Sequence, residues 1–232
     1  MNMDSYQKIA QLEARYCEII RETDLRELYG NSQLSGVFLA SPSNAYFESS
    51  KKVFIIGQET RDWRRAKCHI KNEYSSDINA IRESMQATLD FNQKKPKSSK
   101  FRQFYIKASN LLSKSNSDPK HSAVWTNQFC ISYKGNSPVH SDAFPEIKEL
   151  SKKLLKAQFE ILSPDIAIFA VGSSRDKYIK EALDVTTIDV IHPRRLWHFK
   201  VGDTNCFRCN HPRWHGANRY LAEALELAKA LT

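Results

Sequence analysis

Apolar positions alternate between two periods along this chain. Ile9, Leu12, Tyr16, Ile19 and Ile20 recur at helical spacing and predict a helix from Asp4 to about Leu28, with Gly30 as its stop. A turn-rich stretch from Gly30 to Ser50 leads into a short continuous run, Val53–Ile56, of the kind a strand buried on both faces requires. The same reasoning predicts helices over 77–91, 101–112 and 145–162, and strands over 124–131, 166–171 and 187–191. Another helix is expected after Gly172, and a closing helix over 218–231. The segment QKKPKSSK, Gln93 to Lys100, reads as a basic loop, and IHPRRLWHF at 191–199 as a second one. Strands of continuous apolar residues between amphipathic helices imply an α/β fold with a mostly parallel sheet covered on both faces. No repeat or domain-sized linker interrupts residues 1–232, so one domain is expected, with the helix and loop of 1–50 packing on its core.

In such folds ligands bind beyond the carboxyl ends of the strands. Polar clusters follow strand ends here repeatedly: GQETRD after Ile56, SYKGNS after Ile131, GSS after Val171 and NHPRWHG after Cys209. Taken singly, each also suits a helix cap or a turn.

Charge narrows the partner. The chain carries a net charge of +9 with 26% charged residues, which favours a polyanion, nucleic acid before an anionic membrane surface. No apolar run is long enough to span a bilayer, and the N-terminal MNMDSYQKIAQLEARY is too polar for a signal peptide. Cysteines at 17, 68, 130, 206 and 209 form no disulfide framework. A cytoplasmic protein without membrane partner, and a monomer, is the expectation.

Taken in order, these stretches resemble the uracil-DNA glycosylase superfamily. VFIIGQET looks like its first motif, WTNQF like the strand whose Asn reads the extruded base, LSPDIAIFAVGSS like its third strand, and NHPRWHGANRYLAEAL like its second motif and closing helix. The resemblance runs from Lys52 to Leu231. It implies a three-layer α/β/α sandwich around a central, mostly parallel four-stranded sheet, and hydrolysis of the bond between a flipped base and deoxyribose in DNA. It also implies no cofactor.

That reaction passes through an oxocarbenium-like sugar while negative charge gathers on the departing base, so it needs a carboxylate near the sugar and a donor at the base oxygen. The resemblance gives the first role to Glu59, with Asp62 in reserve, and the second to His211 as a neutral imidazole. Gln58 and Asn127 would read the base edge, since an amide offers both a donor and an acceptor. Arg61 and Trp63 complete the candidate base-binding set. Lys134, Ser173, Arg213, His215 and Arg219 are candidates for holding DNA. Phe91, Phe101, Phe104 and Tyr105 are further aromatics on which a flipped base could stack. Glu59 could equally be an N-cap or surface carboxylate, and His211 a ring fixed in a turn by Pro212.

The sequence departs from the uracil enzymes where specificity lies. Those enzymes follow the motif carboxylate with Pro and a Tyr that excludes a C5 substituent; here Glu59 is followed by Thr60 and Arg61. The expected substrate is therefore a C5-modified pyrimidine, such as hydroxymethylated or glucosylated cytosine of phage DNA, which would give the protein an antiviral role. A uracil or deaminated-base repair enzyme and a non-catalytic nucleic-acid-binding protein of the same fold are the alternatives. Cys206 and Cys209 with His211 and His215 invite a zinc reading, but common zinc sites separate their ligand pairs by about a dozen residues. The two cysteines are read instead as small residues ending a buried strand, and no metal is expected.

Overall fold

The computed structural model describes residues 3–25, 28, 33–63, 77–95 and 98–231. Gly30, Cys68 and the Pro96–Lys97 pair of the basic loop, all named above, lie outside the described residues. In chain order the elements are α1 (Met3–Arg21), α2 (Asn44–Glu48), β1 (Val53–Glu59), α3 (Ile78–Gln93), α4 (Lys100–Leu112) and β2 (Val124–Phe129). They continue with α5 (Phe144–Leu162), β3 (Ile166–Ala170), α6 (Asp176–Ala182), β4 (Val185–His192), β5 (Leu196–Val201), β6 (Thr204–Cys209) and α7 (Ala217–Lys229). Short 3₁₀ turns occupy Pro138–His140 and Ser173–Arg175.

The protein is α/β, as expected, but its sheet has six strands rather than four, in the order β2-β1-β3-β6-β5-β4, and it is mixed. β1 pairs with β3 and β3 with β6 in parallel, whereas β6 with β5 and β5 with β4 are antiparallel. The discrepancy comes from 191–199, where the expected basic loop is mostly strand. Pro193, Arg194 and Arg195 form the turn, with Arg194 at φ +60, and Leu196, Trp197 and Phe199 are buried in β5. Aromatic and apolar residues suited to a half-buried surface outweighed the turn signal of HPRR. β4 is an exposed edge rather than a buried strand, with Ile188 51% and Val190 52% exposed.

The chain divides into two compact units. The first comprises residues 1–41, 58–91 and 126–162. In it α1 packs on α5, the amphipathic stripe of α1 burying Leu12, Tyr16, Ile19 and Ile20. The Tyr16 hydroxyl donates to the Ala40 carbonyl at 3.0 Å and Thr88 to the Leu39 carbonyl at 2.8 Å, which fixes the segment before Ser41. On β2, Thr126 donates to Gln158 of α5 at 2.7 Å, so a buried hydroxyl and amide satisfy one another.

The second unit comprises residues 42–57, 92–125 and 163–232 and holds β3 to β6 with the first residues of β1 and β2. Its core is the sheet interior, Phe54, Ile168, Phe169, Phe199 and Phe207, against α7 through Leu221, Ala224, Leu225 and Ala228. One ion pair ties α6 to the sheet. The Arg208 guanidinium, 3% exposed, donates through Nε and Nη2 to the two oxygens of Asp176 at 2.7 and 2.8 Å. Removing one partner of such a pair leaves a buried charge uncompensated. Asp176→Ala is therefore expected to lower stability by about 3–5 kcal/mol in urea unfolding. Asp176→Ala/Arg208→Leu should cost clearly less than the single change. A double variant as unstable as the single one would show that the pair is not what holds α6.

Candidate active site

The expected site residues fall in both units. In the first, β1 ends in Gln58 and Glu59, both half-buried, and the chain then turns through Thr60, Arg61, Asp62 and Trp63. Arg61 and Asp62 adopt φ of +41 and +51, a left-handed conformation that costs a non-glycine residue about 1–2 kcal/mol. Two buried serines hold this turn. Ser35 Oγ lies 3.2 Å from Thr60 Oγ1 and accepts the Ser132 N–H at 2.9 Å. Ser132 Oγ accepts the Asp62 N–H at 2.9 Å, and the Gly36 N–H donates to the Trp63 carbonyl at 2.8 Å.

The Asp62 carboxylate is seated against Gly135, where φ is +69 and a Cβ would stand 2.5 Å from Oδ2. Neighbouring Lys134, also left-handed at φ +49, is exposed, with Nζ 5.0 Å from the centre of the Tyr133 ring. Asn127 is buried in the middle of β2. Trp63 is 8% exposed, its ring set edgewise to Phe38 at 5.0 Å and to Phe91 at 5.4 Å. Trp63 thus sits in an aromatic cluster with buried Phe38 and half-buried Phe91. Among the described residues the Trp63 indole N–H has no hydrogen-bond partner.

In the second unit the parallel pairing of Ala170 with Cys209 brings two loops to the same end of the sheet. Gly172, at φ +80, donates its N–H to the Cys209 carbonyl at 2.9 Å, and half-buried Ser173 opens the turn before α6. Asn210 and His211 leave β6 beside it. His211 is half-buried and its ring stacks on Phe101 of α4, centroids 6.1 Å apart and planes 13° from parallel. Phe101 leans on Trp125, which also meets Tyr105, so three buried aromatics lie in sequence behind the imidazole.

The tautomer of His211 follows from its own turn. The Arg213 N–H donates to Nδ1 at 3.2 Å, and the Trp214 N–H donates to the His211 carbonyl at 2.8 Å. An Nδ1 that accepts an amide proton cannot carry one, so the neutral ring is protonated at Nε2 and Nε2 is a donor. Asn210, 6% exposed, has an Oδ1 without hydrogen-bond partner among the described residues.

Arg213, His215 and Arg219 are all exposed. Trp214, 40% exposed, lies with its ring against Gly216 and under the Arg195 guanidinium, 4.0 Å from the ring centre. Arg195, Ser35 and Ser132 were not singled out from sequence. The signal for Arg195 was the basic HPRR run, but small serines in polar stretches carry no periodic signature.

Cys206 and Cys209 do not form a chelating pair. Three positions apart on one strand, they point to opposite faces. Cys206 Sγ hydrogen-bonds the Thr204 carbonyl and Cys209 Sγ the Phe169 carbonyl. No cluster of three metal-ligating side chains occurs among the described residues. Burial pushes the Cys130 and Cys209 thiols up to about 12, and raises that of Cys206 as well. No model of a known protein family matches this chain, and no curated protein matches it.

Two predictions follow from this geometry. Gly135→Ala should destabilise by about 1–2 kcal/mol in urea unfolding, from the left-handed backbone alone, with a further cost from displacing Asp62. Adding Asp62→Ala should recover that second part, and strictly additive costs would show no contact between the two positions. Iodoacetamide at pH 8 should leave Cys130, Cys206 and Cys209 unlabelled in the native protein and label them in urea, because only thiolates react. Native labelling of Cys206 or Cys209, read by peptide mass spectrometry, would contradict their burial.

Proposed function

We propose that this protein is a monofunctional DNA glycosylase of the uracil-DNA glycosylase type, acting on a flipped, C5-modified pyrimidine. The observation that carries the reading is the His211 tautomer. A neutral imidazole with its proton on Nε2 is the donor that a departing base needs as the electron pair of the glycosidic bond collects on its ring and O2. Such a donor is worth about 3–4 kcal/mol when aimed at developing charge. Stacking on Phe101 restrains the ring and spares it reorientation during the reaction.

Glu59 is assigned to the sugar. Its carboxylate stabilises the cationic C1′ and orients the water that adds there, taking up the proton the water loses. Asp62 is the second carboxylate of the same turn, and Gln58 and Asn127 read the base edge. The left-handed pair Arg61–Asp62 supports a functional turn, since strain of this kind persists where a scaffold over-determines it. Arg61, in the position of the uracil enzymes' Tyr, leaves space and a cationic donor at C5, which suits hydroxymethyl or glucosyl substituents. Lys134, Ser173, Arg213, His215 and Arg219 are assigned to the DNA backbone, in keeping with the net charge of +9. A restriction role against modified phage DNA follows from that substrate.

Duplexes carrying 5-hydroxymethylcytosine, its glucosylated form, uracil or unmodified bases test the reading through abasic-site formation. Release of the C5-modified bases is expected, with a loss of about 10²–10³ in rate for His211→Ala and little change in DNA affinity. Release of uracil alone would overturn the assigned specificity. No release from any of the four would overturn the glycosylase itself, and a biological activity unchanged by His211→Ala would favour a non-catalytic DNA-binding protein.

A further inference from the structure

Beside the His211 turn, the second unit holds a cleft of about 280 Å³ between α4 and α7. The facing stripes of the two helices build it. On α4, Lys100, Phe104 and Lys107 recur at spacings of four and three and share one side. On α7, Asn218, Leu221 and Leu225 do the same. Phe104, Leu221, Leu225 and Pro212 supply an apolar floor, while exposed Lys100 and Lys107 stand on the rim. None of the residues lining the cleft is acidic.

The basic loop is anchored to the same end of α4. The buried Arg102 guanidinium donates to the carbonyls of Asn92, Lys94 and Lys95, so that exposed Lys94 and Lys95 are held beside the helix that begins with Lys100. Burying an arginine to fix three loop carbonyls makes this approach a built feature rather than a loose tail. Lys100 and Lys107 thus share the cleft side of α4, and Lys94 and Lys95 are held near the start of that helix.

We propose that the α4–α7 cleft seats an unpaired, single-stranded stretch of nucleic acid. Lys100 and Lys107 are seven residues apart, about 10 Å along the helix, the span of about three phosphates of a stacked strand. Cations at that spacing neutralise a backbone running along α4. The recessed apolar floor takes a base face, which only an unpaired nucleotide can turn toward it. The proposal extends the nucleic-acid reading given above, and it names a strand site separate from the residues assigned to the reacting base.

Fluorescence anisotropy with a labelled oligothymidylate, at several salt concentrations, reads binding alone, so failure of base release leaves this result unaffected. The wild-type protein is expected to bind the single strand more tightly than a duplex of the same length. Lys100→Gln/Lys107→Gln should bind at least tenfold more weakly, and its salt slope should fall by about 1.4, the contribution of two single-strand phosphate contacts. Ala222→Glu, an exposed position on α7 that lines the cleft, keeps helix propensity and should weaken binding similarly. Unchanged affinity and slope in both variants would overturn the proposal, as would tighter binding of the duplex. Tighter binding of a glutamate-rich peptide, lost in the same variants, would assign the cleft to an acidic protein instead.

Discussion

Ile166 pairs with Asn205 and Ala170 with Cys209 across β3 and β6, and the two strands run in the same direction. Their following loops must therefore leave from one end of the sheet, which sets Gly172 and Ser173 beside Asn210 and His211. Adjacent parallel strands cannot be joined by a tight turn. The chain instead crosses through α6 to β4, three places out from β3, and returns through β5 and β6 as an antiparallel meander that fills the gap. The mixed sheet follows from that connection. So does the weight carried by Arg208 and Asp176, which lock the crossover helix to the last strand before His211.

A second constraint acts in the other unit. Two consecutive residues in left-handed conformation, Arg61 and Asp62, need an external brace, and Ser35 and Ser132 provide it with buried hydroxyls that bond to the turn and, at Ser35, to the Ser132 N–H. A third partner is a residue with no side chain. Gly135 admits the Asp62 carboxylate where any Cβ would collide with it. The braced part of GQETRDW is thus its backbone, and the polar side chains are carried on a turn held by residues 25 and 70 positions away.

Long periodic elements were legible in the sequence. The apolar stripes of 77–91, 101–112 and 145–162 match α3, α4 and α5 within a few residues, because 3.6-residue periodicity over several turns has few competing readings. The runs at 53–56, 124–131 and 166–171 likewise mark β1, β2 and β3. What was not legible depended on pairing. HPRRLWHF carries turn and strand signals together, and only an available β6 edge decides for β5. Residue order also gave the polar strand-end clusters, but not which of their members are buried. Trp63 stood among the base-binding candidates with no sign in the sequence that Phe38 and Phe91 flank it, and Phe101 had no mark as the ring that supports His211.

Catalysis by the proposed route requires one protonation state of one ring. Long-range ¹⁵N–¹H NMR on protein labelled at histidine nitrogen, with His211 assigned by its loss in His211→Gln, reads that state directly at neutral pH. The proposed mechanism requires a neutral imidazole with a protonated, pyrrole-like Nε2 and a pyridine-like Nδ1 that accepts the Arg213 amide. A His211 protonated at Nδ1, or at both nitrogens, would leave no neutral Nε2–H donor for the departing base and would contradict the proposed mechanism.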